Sequence, residues 1–458
     1  MHRFCRSVKP GTDLGGCHLS AVMTEDQGLR APLGRVQEIW QNIASAGPLA
    51  IAGVVANGSN VIVTVLLAHL LVSSDYGYLN QLIGLFLIVS TPGSAVIVAV
   101  VRRATQWRVL GHHEALEAWA KKIHRAAWWT YGVYLVVVIA VSGGVARELL
   151  AHDTKGRVIA MLAGAGLWVV LCIDRGFLQA TRAYRDLSIN LLVEGGVRAV
   201  AVLGFVAIRP SVFSACVGIL VAEIATFTHA RIRANAALRV STGQEDLETA
   251  RDEGSTIVRD LITAVAAMVL LAVLQNADVI LLGRLRHEDS GSYAAISVAS
   301  KSLYFVAIVL SGYLVPEAAI RWRQGAHALR PLAATFAILA IPASVLFAAA
   351  SIAPHLVLGL VFSSKYLGAE HAFSTLVLAM VCLSVTVVLT LYLLAIGKRW
   401  ITALLGLGAF SLVYATLQTH GQPIEVARVN LAVQGALAAL VSIAFALTHL
   451  RSSGRRET

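Results

Sequence analysis

Along most of the 458 residues, apolar positions neither alternate nor keep to one helical face. They run on for about 20 residues before a short polar break interrupts them. A helix rises about 1.5 Å per residue, so runs of this length match the roughly 30 Å hydrocarbon layer of a bilayer. A membrane barrel would instead show segments of about 10 residues with alternating polarity. Twelve runs can be marked, at residues 47–72, 79–101, 126–146, 158–178, 187–208, 211–230, 260–283, 292–315, 331–352, 372–396, 401–418 and 428–450. The pattern predicts an all-α integral membrane protein with about 12 transmembrane helices.

Composition agrees: 57% of residues are hydrophobic, 14% are charged and the mean hydropathy is +0.72, against roughly 25% charged in an ordinary soluble domain. A net charge of +11 would point a soluble chain toward nucleic acid. Here the basic residues lie in short connections between spans, so the bilayer is the expected partner and nucleic acid is not. Sorting Lys and Arg by the alternation of the spans leaves 27 on the side of the termini and 8 on the other, with Arg198 and Lys301 inside spans. The excess of positive charge on cytoplasmic connections then orients both termini to the cytoplasm. Residues 1–46 contain no apolar run of signal-peptide length. They read as a cytoplasmic tail that need not be ordered, with residues 35–46 as an amphipathic interfacial helix and Met23 as an alternative start.

No connection is long enough to be a soluble domain. The longest, residues 231–259, mixes Glu245, Asp246, Glu248, Asp252 and Glu253 with basic residues and reads as a cytoplasmic linker. It separates residues 47–230 from residues 260–450, six spans each, with 451–458 as a second tail. The halves share a short motif. Asp75-Tyr76-Gly77-Tyr78 leads into the second span and Asp289-Ser290-Gly291-Ser292-Tyr293 into the eighth, with Tyr78 and Tyr293 215 residues apart. This predicts a parallel duplication about an axis along the membrane normal, the arrangement of alternating-access transporters.

Candidate chemistry is confined to charges inside spans. Glu194, Arg198, Glu223, Asp278 and Lys301 each carry an insertion cost of roughly 2.5–3.5 kcal/mol at mid-membrane. Glu194 and Arg198 are four apart and share a helix face; Arg198 and Glu223 fall at similar depth, and Asp278 and Lys301 are close enough in depth to meet. One reading makes these five residues internal ion pairs that hold helices together. The other makes them substrate-binding: Arg198 and Lys301 bind an anionic group while the carboxylates compete for them, Arg through its planar fork. Arg102, Arg103, Arg175, Arg182 and Arg185 on the cytoplasmic side are candidates for recruiting lipid phosphates, although orientation alone accounts for them. His112, His113 and Glu114 lack a third metal ligand at a defined spacing. The five cysteines are odd in number with no ligand spacing. No Gly-x-x-x-x-Gly-Lys loop is present, so neither ATP nor any other cofactor is called for.

Several stretches resemble the polysaccharide and O-antigen flippases, the oligosaccharidyl-lipid branch of the multidrug/oligosaccharidyl-lipid/polysaccharide exporter superfamily. They are Leu70-Leu71-Val72-Ser73-Ser74-Asp75-Tyr76-Gly77-Tyr78, Asn276-Ala277-Asp278 with Leu281-Leu282-Gly283, Gly291-Ser292-Tyr293-Ala294, and Gly359-Leu360-Val361-Phe362 with Lys365-Tyr366 before Ala369. The resemblance implies a fold of two six-helix bundles facing across a central cavity, in a bacterial inner-membrane protein that moves an undecaprenyl-pyrophosphate-linked glycan from the inner to the outer leaflet; the anion met by Arg198 and Lys301 would then be its pyrophosphate. It also implies partnership with a polymerase and glycosyltransferases of the same pathway.

Other classes fit less well. A multidrug or cation antiporter of the same superfamily resembles its relatives in an acid in the first span, where this chain has Asn57 and Asn60. A membrane glycosyltransferase or polymerase needs an acidic group or large loop at the outer surface, and the first outer loop offers Asp75 alone. A peptidoglycan-precursor flippase would have more than twelve spans. The chain therefore reads as a transporter and not an enzyme.

Overall fold

In a computed structural model of the chain, residues 27–152, 154–240, 254–323 and 329–454 are described, and every element among them is helical. The first half comprises α1 (Gln27–Leu70), α2 (Ser73–Ser90), α3 (Pro92–Val109), α4 (His113–Gly144), α5 (Lys155–Ala180), α6 (Tyr184–Ile208) and α7 (Val212–Val240). The second comprises α8 (Gly254–Leu285), α9 (Ser290–Arg323), α10 (Leu329–Ile352), α11 (Pro354–Val361), α12 (Glu370–Ala395), α13 (Ile401–Leu417) and α14 (Pro423–Gly454). A π turn, Val145–Leu149, follows α4, and a 3-10 turn, Ser364–Ala369, leads into α12.

Eleven of the twelve apolar runs each fall chiefly on one of these helices, and the run 79–101 falls on two. Among the described residues eleven spans are long and apolar enough to cross a membrane, and α13 adds a shorter apolar helix. The second span is α2 and α3 in series, broken where Pro92 supplies no backbone N–H to the helix ladder.

Helix and apolar run differ in length. The helix α1 starts at Gln27, so residues 35–46 continue the first span and are not a separate interfacial helix, and the tail read over 1–46 is helical in its second part. Likewise α7 runs on to Val240 and α8 begins at Gly254, so much of the linker read over 231–259 is helix; residues 241–253 lie outside the described residues. The physical reason is that Ala, Leu and Arg in the stretch 230–239 keep helix propensity after hydrophobicity has ended. An apolar run measures bilayer thickness, and helix propensity sets where the helix stops.

The packing repeats between the halves. In the first, α1 lies on α6, α6 on α7, and α5 is surrounded by α2, α3, α4 and α7. In the second, α8 lies on α13, α13 on α14, and α12 is surrounded by α9, α10 and α14. The fourth span of each half is therefore its core, with 67% and 72% of its most apolar window buried. The halves meet chiefly where α2 packs on α8 and α9, with α3 also touching α8.

Candidate functional site

The duplicated motif builds the seam between the halves. Gly77 lies in the second turn of α2 and Gly291 in the first turn of α9, and each presses against the backbone of the other half. A Cβ on Gly77 would lie 2.6 Å from the Gly291 nitrogen, and a Cβ on Gly291 would lie 2.2 Å from the Ser73 carbonyl oxygen. No side chain fits at either place. The last carbonyls of α1, left without intrahelical donors, are capped from across the seam. The Tyr366 hydroxyl donates to the Ala68 oxygen at 2.7 Å and the Lys365 ammonium to the Leu71 oxygen at 2.7 Å. Beside them the Tyr76 and Tyr366 rings meet at 5.3 Å. Three of the stretches that carry the family resemblance thus come together in one place. Tyr366→Phe removes one of these buried bonds and is expected to weaken the closed seam by about 1 kcal/mol, seen as a lower thermal-unfolding midpoint with unchanged membrane insertion.

The charged residues of the first half form one buried network. Arg175 from α5 donates to Glu194 at 2.7 Å and to Asn190 at 2.8 Å, both on α6. Glu194 also receives Arg198 at 3.3 Å and the Trp168 indole at 3.4 Å. Arg198 in turn pairs with Glu223 of α7 and donates to Asn60 of α1 at 3.1 Å. Two donor and acceptor atoms of this network have no hydrogen-bond partner: Arg198 Nε and Glu223 Oε2. A second buried group lies beside it, where His124 of α4 meets Asp174 at 2.8 Å and Arg231 of α7 meets the same carboxylate at 3.3 Å. His124 and Arg231 were not singled out from sequence, because their partner is set by tertiary packing at span ends.

The second half holds its own cluster. Lys301 lies 3.7 Å from Asp278 and donates to Asn276 at 3.3 Å, while Tyr293 and Asn430 donate to the other Asp278 oxygen at 3.0 and 3.1 Å. Asp278 is fully buried. Arg198 and Lys301 each pair with a carboxylate of their own half. Arg175 corrects an expectation: it is buried against Glu194 and Asn190 and cannot recruit lipid phosphate from a loop. Arg102, Arg182 and Arg185 are exposed, and Arg103 lies over the Trp107 ring at 4.6 Å. Arg102 also borders an open groove of about 550 Å³ with Val101, Thr105, Gln106 and Leu110.

No family model matches the chain, and no curated protein does. Solved structures do. The inward-facing conformation of a multidrug resistance MATE family transporter of the MOP superfamily superimposes with a TM-score of 0.62 at 12% identity, covering 85% of this chain and 94% of that one. A MOP superfamily transporter from Pyrococcus furiosus, described as having reverse polarity of its binding pocket, gives 0.56 at 13% identity over 88% and 95%. The lipid II flippase MurJ, in an inward closed conformation, gives 0.59 at 11% identity over 86% and 87%. These likenesses establish the fold.

Proposed function

We propose that this chain, built on the fold shared by MATE transporters and the MurJ flippase, is a flippase for an anionic lipid-linked oligosaccharide. The substrate is undecaprenyl-pyrophosphate-linked and moves from the inner to the outer leaflet of a bacterial inner membrane for surface polysaccharide assembly. Both termini lie in the cytoplasm, and the sealed Gly77–Gly291 seam faces outward. The observation that carries this reading is the pairing pattern of the first-half network. Every carboxylate there already holds an arginine, whereas Arg198 keeps a buried donor, Nε, without a partner. Such a site offers an anion a guanidinium and offers an organic cation no unpaired acid. The first span contributes Asn60 as an acceptor for Arg198 and no carboxylate. The stretches that resemble the oligosaccharidyl-lipid branch supply the substrate class.

Glu223 Oε2, also buried without a partner, favours a second reading as a cation-coupled multidrug antiporter. The test is reconstitution of the full chain in liposomes carrying a fluorescent undecaprenyl-pyrophosphate oligosaccharide in one leaflet. Scrambling of that lipid above empty liposomes supports the flippase. Gradient-driven uptake of an organic cation such as ethidium, with no lipid movement, supports the antiporter.

A further inference from the structure

Beside the glycine seam, two histidines from opposite halves press together. His152, in the turn between α4 and α5, stacks on the Tyr78 ring of α2 with centroids 3.6 Å apart and planes within 5°. The edge-to-face partner of that same imidazole is His287, from the connection between α8 and α9, at 4.6 Å. The His152 Nδ1 lies 2.7 Å from the Leu150 carbonyl oxygen, so it carries the proton and leaves Nε2 as the nitrogen that titrates. Among the described residues the groups acting on this pair are few. From α5 comes Arg157, whose guanidinium sits 5.5 Å from the Tyr78 ring centroid, and just before α5 Thr154 is hydrogen-bonded to the Tyr78 hydroxyl at 3.3 Å. From α2 comes Asp75, whose carboxylate acts on His152.

We propose that His152 is a proton-sensitive latch: neutral, its ring sits between Tyr78 and His287 and closes the seam between the halves, and once protonated it is repelled by Arg157 and releases the seam. Stacking of neutral aromatic rings is favourable, and a second positive charge placed beside Arg157 is not. Burial, together with the nearby His287 and Arg157, holds the His152 imidazole below its ordinary range despite Asp75 and the Leu150 carbonyl. The sign follows. The closed seam binds fewer protons than the open one, in which His152 returns to water and titrates near pH 6.5. Closure is therefore fully present above about pH 7 and is lost as pH falls through about 6.5 and below. The latch is independent of what is carried, so it stands whether the substrate is a lipid-linked glycan or a drug.

The test uses spin labels on Leu70 of α1 and Leu360 of α11, exposed and untitratable positions on opposite halves near the seam, in full-length protein in lipid nanodiscs. Pulsed electron paramagnetic resonance between pH 8 and 5 should show the short-distance population falling several-fold relative to the long one. His152→Phe keeps the ring contacts and removes the proton site, and His152→Gln removes it with a smaller side chain. Each should hold the short distance throughout, and its presence at pH 8 shows that the seam still forms. His152→Gln carries the test if His152→Phe does not close. A wild-type distribution unchanged by pH, or a His152 variant that closes at pH 8 and follows pH as the wild type does, overturns the latch.

Discussion

Gly77→Val is expected to abolish transport while leaving the protein abundant in the membrane. The new side chain would meet the backbone of Ser290 and Gly291, which cannot rotate away as a flexible side chain would. Overpacking of this kind costs up to about 3 kcal/mol, and here it falls on the closed seam alone, because the clash is with the other half. At about 1.4 kcal/mol per tenfold, the closed state would lose roughly a hundredfold in population, and a cycle that must pass through it slows accordingly. Gly291→Val should behave alike for the reciprocal reason, since its Cβ would strike the Ser73 carbonyl. Gly312→Val is the control: nothing lies within 4 Å of a Cβ there, and transport should stay near wild type. Equal loss at Gly77 and Gly312 would detach the effect from the seam.

The second large effect separates holding the fold from binding substrate. Arg198→Met leaves Glu223 buried without a counter-charge and Glu194 with one arginine fewer. Breaking a buried pair in this one-sided way costs about 3–5 kcal/mol, enough to deplete the protein from the membrane. Removing both partners is different: in Arg198→Met/Glu223→Met no charge is stranded, and replacing a buried pair by apolar groups is neutral or stabilising in many proteins. The double variant should therefore recover abundance and thermal stability. If the network is only structural, it should recover transport too. If Arg198 binds the substrate's phosphates, it should remain inactive, and the same comparison with Lys301→Met/Asp278→Asn tests the second half.

The fold was legible because a bilayer imposes one length on every span and the apolar runs recorded it. The duplication could also be read, from Asp75-Tyr76-Gly77-Tyr78 and its echo at Asp289 to Tyr293. What the motif does could not. Gly77 and Gly291 look like ordinary helix glycines until the two halves are brought face to face. Lys365 and Tyr366 lie nearly 300 residues from the carbonyls they cap. Depth along the spans foretold that Arg198 would meet Glu223 and Asp278 would meet Lys301, since each pair needs only two neighbouring helices. Depth says nothing of azimuth, so the partners Asn60 of Arg198 and Asn430 of Asp278, which come from helices distant in sequence, were not legible. Arg175 was placed with the loop arginines because it ends an apolar run, yet α5 continues to Ala180 and turns that side chain inward.

Distance distributions across both ends of the molecule test the central idea, that the halves rock about the glycine seam. Labels on Leu70 and Leu360 report the seam, and labels on Gln106 and Arg330 report the opposite end. In liposomes with the lipid-linked substrate added, the account predicts two populations in antiphase, with the seam distance lengthening as the opposite one shortens. It also predicts that Gly77→Val holds the seam long. A single fixed distance at both ends, unchanged by substrate and by Gly77→Val, would contradict it.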